Sequence, residues 1–308
     1  MKKLLLILLS TLTVILLVTS CKREKVIEDR EQQEVVGSYP ITIIDKFGNE
    51  IIIENEPISV ISFSPELVEI MYALGVEEKL IGRSTYCDYP EQAIEIPDMG
   101  DLLSLNLESI VESNPDLVLL SSMVSEDRVT ALKNQGIEVL VLDADANVDG
   151  VFEYIDMLGN IFNVQNQAKQ LANNMKTDID QIVSKIEGLE PPSAYFIIGF
   201  GEFDSAATGD TFIGQLIELA GAKNAAADGS NWVYSIEQLL DKDPDILICS
   251  NAYYSKAEIL ITEGYKDLTA VKEGRLYEVD EDVFYRQGPR IVEALQTLAQ
   301  YFHPEVFN

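Results

Sequence analysis

The chain has 308 residues, 47% of them hydrophobic, enough to bury two α/β cores of ordinary domain size. Its 52 acidic residues outnumber 22 basic ones, and the resulting formal charge of −30 repels nucleic acid and anionic lipid headgroups. A single histidine, His303 in the terminal YFHPEVFN, cannot furnish a Ser-His-Asp triad, a His-rich metal site or a histidine-assisted base. GFGEF at 199–203 opens like a dinucleotide fingerprint, but Asp204 stands where the third glycine belongs, and no Walker-type loop occurs. No catalysis and no resident cofactor are expected.

The chain begins MKKLLLILLSTLTVILLVTSC: Lys2 and Lys3, an apolar run from Leu4 to Val18, then Thr19 and Ser20 before Cys21. That run is short for a membrane span and right for a secretory signal over residues 1–20. VTSC resembles the lipobox of bacterial lipoproteins, which makes Cys21 the expected lipidation site and the protein an extracytoplasmic one anchored to the cell membrane. Residues 21–39 are charged and poor in aromatics, as in a flexible tether.

Residues 40–146 read as an α/β lobe. SPELVEIMYALG at 64–75 is an amphipathic helix ending in Gly75, with Glu69 expected on its outer face. LESIVESNPDLVLLSS at 107–122 then combines helical spacing, a Pro-Asp turn and a continuously apolar strand. Residues 147–190 are helical, and from Val164 to Ile186 no Gly or Pro interrupts the pattern, which predicts a long bridging helix. Residues 191–308 repeat the first design. TFIGQLIELAGAKN at 211–224 is again a helix with an acid, Glu218, shortly before Gly221, and IEQLLDKDPDILICSN at 236–251 aligns without a gap on 107–122. Glu108 falls on Glu237, Pro115 on Pro244 and Asp116 on Asp245. Two lobes of one plan are therefore expected. Cys87 and Cys249, one per lobe, read as free buried thiols, because a disulfide between them would pin lobes that should move.

The lipoprotein signal, ITIIDKFGNEIIIENEPISVISFSPELVEIMYALG, LIGRSTYCDYP, the paired ExxxxxxPD[LI] segments and FYRQGPRIVEALQTLAQYFHPE together resemble the substrate-binding lipoproteins of ABC importers for iron chelates, haem and cobalamin. The resemblance covers nearly all of residues 40–305. It implies an α/β fold of two Rossmann-like lobes with parallel central sheets joined by one long helix, the class III periplasmic-binding-protein fold. It also implies a monomer that holds its ligand between the lobes and docks on a permease dimer served by a separate ATPase.

Ligands of open α/β sheets sit beyond the carboxyl ends of the strands, so the loops there should line the cleft. In this sequence they carry Ser64, Tyr86, Tyr89, Phe200, Phe203, Tyr253, Tyr285 and Arg286, with Arg290 opening the last helix and Arg83 close by. Trp232, the only tryptophan, matches a cleft tryptophan of cobalamin-binding relatives. Rings suit a large, flat, partly apolar ligand, and an arginine could grip a carboxylate, phosphate or chelate oxygen. The expected ligand is cobalamin or a neutral or cationic ferric siderophore, ahead of haem. In the resembled family one exposed glutamate per lobe meets arginines of the permease, a part assigned here to Glu69 and Glu218. The competing reading is a two-lobed extracellular sensor or adhesin without a transporter.

Overall fold

The computed structural model describes residues 39–143, 147–201 and 204–307. The leader, Cys21, the tether up to residue 38 and Phe203 lie outside them. In chain order the first half holds β1 (Ile41–Ile44), β2 (Glu50–Ile53), β3 (Val60–Ser62), α1 (Pro65–Leu74), β4 (Leu80–Arg83), β5 (Gly100–Asp101), β6 (Ser104–Leu105), α2 (Leu107–Ser113), β7 (Leu117–Ser121), α3 (Glu126–Lys133) and β8 (Val139–Leu142). Helices α4 (Val148–Ile161) and α5 (Gln165–Ile186) follow. The second half holds β9 (Ser193–Gly199), β10 (Ser205–Ala206), α6 (Phe212–Leu219), β11 (Lys223–Asn224), α7 (Ile236–Lys242), β12 (Ile246–Ser250), α8 (Lys256–Ile259), α9 (Thr269–Lys272), β13 (Leu276–Val279), α10 (Glu281–Tyr285) and α11 (Ile291–Phe302).

The repeat seen in the sequence is a repeat of topology. The first sheet runs β4-β3-β7-β8, all parallel, and the second runs β11-β9-β12-β13, also parallel, with β10 added antiparallel to β9. Side chains sort by the two-residue period of a strand in the same way in both. Leu117, Leu119, Leu140 and Leu142, like Ile246, Ile248, Ala194 and Phe196, enter one core that runs through both lobes. The alternate residues Val118, Leu120, Val139 and Val141 form a separate core of the first lobe, and Leu247, Cys249, Tyr195 and Ile197 one of the second.

The two halves of the repeated segment are built alike. Asn106 caps α2 by accepting the Ser109 N–H, and Ser235 caps α7 by accepting the Gln238 N–H. Each helix ends on a left-handed residue ahead of its proline, Asn114 (φ 47°) and Asp243 (φ 39°). Side chains of these types tolerate that conformation. The aspartate after each proline then clamps the start of the neighbouring strand. Asp116 Oδ2 accepts the N–H groups of Ile58 (2.9 Å) and Ser59 (3.0 Å), while Ser59 Oγ accepts the Asp116 N–H at 3.0 Å. Asp245 Oδ2 accepts the Ser193 N–H (2.9 Å) and hydroxyl (2.7 Å), while Ser193 Oγ accepts the Asp245 N–H at 2.9 Å.

Helix α5 spans about 33 Å. Its buried residues Gln165, Ala168, Met175, Ile182 and Ile186 form one stripe, and it packs on α4, α11 and α1. Helix α4 touches α1 in the first lobe and α6 in the second, so the connection is a layer of helices rather than a single rod. His303, at the end of α11, is buried, its Nε2 lying 2.9 Å from the Gly221 carbonyl oxygen. Cys87 and Cys249 are free and buried, and burial pushes their thiols up to about 11 and about 12 respectively.

Candidate functional site

The carboxyl ends of both sheets carry the candidate loops, and they differ in chemistry. In the first lobe Tyr86 and Tyr89 are exposed after β4, and Met123 is exposed after β7. In the second lobe Trp232, Tyr253, Tyr254 and Tyr285 are exposed. Phe200 is half-buried, edge-on to Tyr254 (centroids 4.9 Å apart) and packed on the buried Tyr265 at 5.3 Å, so part of its surface supports a neighbouring ring. Tyr285 is only partly open: its ring lies edge-on against Phe196 at 6.5 Å, and the desolvation of its covered part, aided by Glu281, raises its phenol above the ordinary range. Ser64, expected in a ligand loop, is fully buried as the residue before α1, and its hydroxyl donates to Glu66 Oε1. It is not available to a ligand in this arrangement.

Trp232 sits on a backbone held against its own preference. Asn231 (φ 54°) and Trp232 (φ 66°) are both left-handed, and the Val233 N–H closes the turn on the Ser230 carbonyl at 3.1 Å. For a tryptophan that conformation costs about 1 to 2 kcal/mol. The compensation is polar. The buried Thr208 hydroxyl donates to Asp210 Oδ1 (2.6 Å) and accepts the Trp232 N–H (3.2 Å), and Asp210 Oδ2 accepts the Asn231 N–H (2.8 Å). The Thr208 hydroxyl, then the Asn231 N–H, hold the Asp210 carboxyl below the usual carboxylate range. Strain maintained by dedicated partners is a mark of a functional position. Thr208 and Asp210 were not legible as site residues, since nothing in TGD distinguishes it from an ordinary turn.

The arginines meet across the lobes. Arg290 makes a two-point pair with Glu69, Nε to Oε2 at 2.9 Å and Nη2 to Oε1 at 2.6 Å, and its guanidinium lies 4.1 Å over the Tyr89 ring. Arg286 Nη1 reaches Glu69 Oε1 (3.2 Å) and Asp88 Oδ1 (2.9 Å); its Nη2 reaches Asp282 Oδ1 (2.7 Å) and donates to the Tyr86 carbonyl (3.1 Å). Burial pulls against protonation of both guanidiniums, but the carboxylates outweigh it: Asp282, Asp88 and Glu69 hold Arg286, and Glu69 holds Arg290, above the ordinary guanidinium value. Glu69, Asp88, Tyr86 and Tyr89 come from the first lobe and the two arginines and Asp282 from the second, so the cluster ties the lobes together. Removing Glu69 costs about 3 to 5 kcal/mol, because two buried guanidiniums are left uncompensated, whereas Asp88 and Asp282 are half-exposed and their loss is screened by solvent. Arg83 is also buried and donates to the carbonyls of Ile96, Ser84 and Ile94, a structural role.

Glu69 therefore is not the exposed docking residue expected. Counted from the residue before each helix, Ser64 and Thr211, Glu69 is the fifth residue of α1 and corresponds to the buried Leu216; Glu218 is the seventh of α6 and is exposed. The two acids face different ways. An exposed, matched pair does exist in the repeat itself: Glu108 and Glu237, each second in its helix. Of the other participants, Asp282 could have been found from its i, i+4 spacing to Arg286, whereas Asp88 carries no such signal.

Residues 60–283 match the family described as periplasmic binding protein, and the chain belongs to that family. It is a substrate-binding protein of the kind that serves ABC transporters. It is 32% identical over 288 residues to the ABC transporter substrate-binding lipoprotein YvrC of Bacillus subtilis (strain 168), covering 91% of each chain. It is 28% identical over 279 residues to a cobalamin-binding protein of Halobacterium salinarum, covering 86% of this chain and 75% of the relative. Among solved structures, a possible iron-binding (periplasmic solute-binding) protein of Staphylococcus epidermidis superposes with a TM-score of 0.73 at 28% identity, over 80% of this chain and 99% of that one.

Proposed function

We propose that the chain captures a corrinoid of the cobalamin type between its lobes and delivers it to an ABC permease dimer driven by a separate ATPase, working outside the cytoplasm from a lipid anchor on Cys21. The observation that supports this reading is the set of exposed rings in the loops after the strands: Trp232, displayed on a strained and braced turn, and Tyr86, Tyr89, Tyr253 and Tyr285. A corrin is a large macrocycle that presents apolar ring surface and methyl groups between its amide side chains, so aromatic area can supply much of its affinity. The name of the Halobacterium relative, and that of a vitamin B12-binding protein of Photorhabdus laumondii at 27% identity, support the same choice. The shared core beneath both sheets favours a small hinge motion over a wide closure. Docking falls to exposed acids, with Glu108 and Glu237 taking the symmetric role and Glu218 flanking them.

The test is a visible absorption spectrum of the mature protein after incubation with cyanocobalamin and removal of free ligand by gel filtration. One corrinoid per chain is expected, and Trp232→Ala should weaken binding about tenfold or more while leaving the melting temperature within a few degrees. Colourless protein overturns the corrinoid assignment. The same experiment with a neutral ferric hydroxamate then decides whether an iron chelate is the ligand instead.

A further inference from the structure

Two guanidiniums four residues apart, at the end of α10 and the start of α11, are the material of an anion grip. In this chain neither is free. Their side chains are 9% and 12% exposed, and each spends its donors on carboxylates, with Glu69, itself 2% exposed, shared between them. Counting formal charges, Glu69, Asp88 and Asp282 outnumber Arg286 and Arg290 by one. The parts of the cluster open to solvent are the negative ones, since the Asp88 and Asp282 side chains are 49% and 43% exposed. Other cations near the strand ends are engaged as well: Arg83 on backbone carbonyls, Arg128 on the Leu103 carbonyl, Lys46 on the Ser122 carbonyl and Lys256 on that of Leu276.

We propose that Glu69 is a charge filter: by neutralising Arg286 and Arg290 where the lobes meet, it confines the ligand to neutral or cationic chelates and shuts out polyanionic ones. The proposal rests on reading the chain as a chelate-binding protein, and it concerns the charge of the chelate rather than its ring system. A carboxylate at this place needs an explanation. Its counterpart in the second lobe is Leu216, which packs in the core, and a buried acid is tolerated only because two guanidiniums face it. The same two guanidiniums without Glu69 would present unsatisfied donors where the lobes meet, beside Tyr86 and Tyr89. A ferric tris-catecholate carries three negative charges and needs such donors; a cobalamin or a neutral ferric hydroxamate does not. With Glu69 in place, a trianion meets Asp88 and Asp282 first and finds no free cation behind them.

The experiment titrates the wild type, Glu69→Gln and Asp88→Asn with a ferric tris-catecholate, a neutral ferric tris-hydroxamate and cyanocobalamin, reading the fluorescence of the single tryptophan, at low and high ionic strength. Glu69→Gln should tighten tris-catecholate binding about tenfold or more, and Asp88→Asn by about threefold, with the neutral ligands changed by less than about threefold. The gain should shrink as salt rises, because the half-exposed part of the cluster is screened. Wild-type protein that binds the trianion as well as the neutral chelates overturns the filter. So does an equal gain for neutral and anionic ligands, which would mean that Glu69→Gln merely opens the lobes. Should Glu69→Gln not fold, as judged by its melting curve, Asp88→Asn decides, since its side chain is half-exposed; no gain in a folded variant overturns the proposal. Failure of every protein to retain cyanocobalamin would defeat the corrinoid reading alone, because the comparison on tris-catecholate still stands.

Discussion

The two lobes are alike at one end of their strands and unlike at the other. At the amino ends each uses the same device, a serine and an aspartate that exchange hydrogen bonds to fasten adjacent strands: Ser59 with Asp116, and Ser193 with Asp245. At the carboxyl ends the first lobe brings acids and two tyrosines, Glu69, Asp88, Tyr86 and Tyr89, while the second brings the arginines, Trp232 and more rings. The sheet order and the sorting of core residues are shared throughout. A duplicated scaffold needs the same strand registration in both copies, but a cleft between copies is filled by one ligand that has no such symmetry. Difference is therefore concentrated where the ligand is expected.

The exposed face of the repeat is a third region, and it offers the largest expected effect. If the lobes dock as a matched pair, the double charge reversal Glu108→Lys with Glu237→Lys should abolish uptake into cells while ligand affinity in solution stays within about twofold. Either single reversal should be intermediate. Undiminished uptake by the double variant would break the symmetric picture and turn attention to Glu218, which has no matching acid in the first lobe.

The helix-ending glycines give a sharper comparison at smaller amplitude. Gly75 (φ 72°) and Gly221 (φ 87°) both need a left-handed backbone, but a Cβ on Gly75 would meet nothing within 4 Å, whereas on Gly221 it would come within 2.8 Å of His303 Nε2 and 2.9 Å of Ile186 Cδ1. Gly75→Ala should cost about 1 kcal/mol from backbone strain alone. Gly221→Ala should cost about 2 to 3 kcal/mol, because it also displaces the buried histidine that fastens the C-terminal segment. Equal losses in thermal or denaturant melts would mean that the His303 contact contributes nothing.

What was legible in the sequence follows the same division. The repeat could be read because its signals are local: helical spacing, a proline, an aspartate and an apolar run, each acting within a few residues. The span of α5, Gln165–Ile186, was legible because no Gly or Pro interrupts it. The direction of Glu69 was not. Leu67, Val68, Ile70, Met71 and Leu74 are all buried, so α1 is covered nearly all round, and where its acid points depends on arginines 217 and 221 positions away. The same holds for the turn that displays Trp232, whose braces Thr208 and Asp210 lie more than 20 residues upstream. The exposure of rings after strands could be expected from their place in the sequence; the direction of the charges could not, because their partners are set by tertiary contact.

The smallest effects test the likeness at the amino ends. Burial works against ionisation of Asp116, but the N–H of Ile58 and the hydroxyl and N–H of Ser59 outweigh it and hold its carboxyl below the ordinary value. Asp245 is held down by the Ser193 hydroxyl and then its N–H. A carboxyl with a depressed folded pKa contributes stability that is fully present above the unfolded value of about 4 and is lost as pH falls through the folded one. Both side chains are largely solvent-exposed, so screening keeps each contribution to about 1 kcal/mol. Asp116→Asn and Asp245→Asn should therefore destabilise by similar small amounts at pH 7, and each deficit should shrink as pH is lowered below about 4, where the wild-type aspartate loses its own advantage. Denaturant melts of both variants at pH 7 and pH 3 measure this. Matching losses with matching pH dependence would establish the clamp as one device used twice, since Asn retains the shape and one acceptor but not the charge. A loss confined to Asp245→Asn would show that the two sites share geometry but not energetics, because Asp245 also has Arg275 and Lys223 nearby to reinforce its charge.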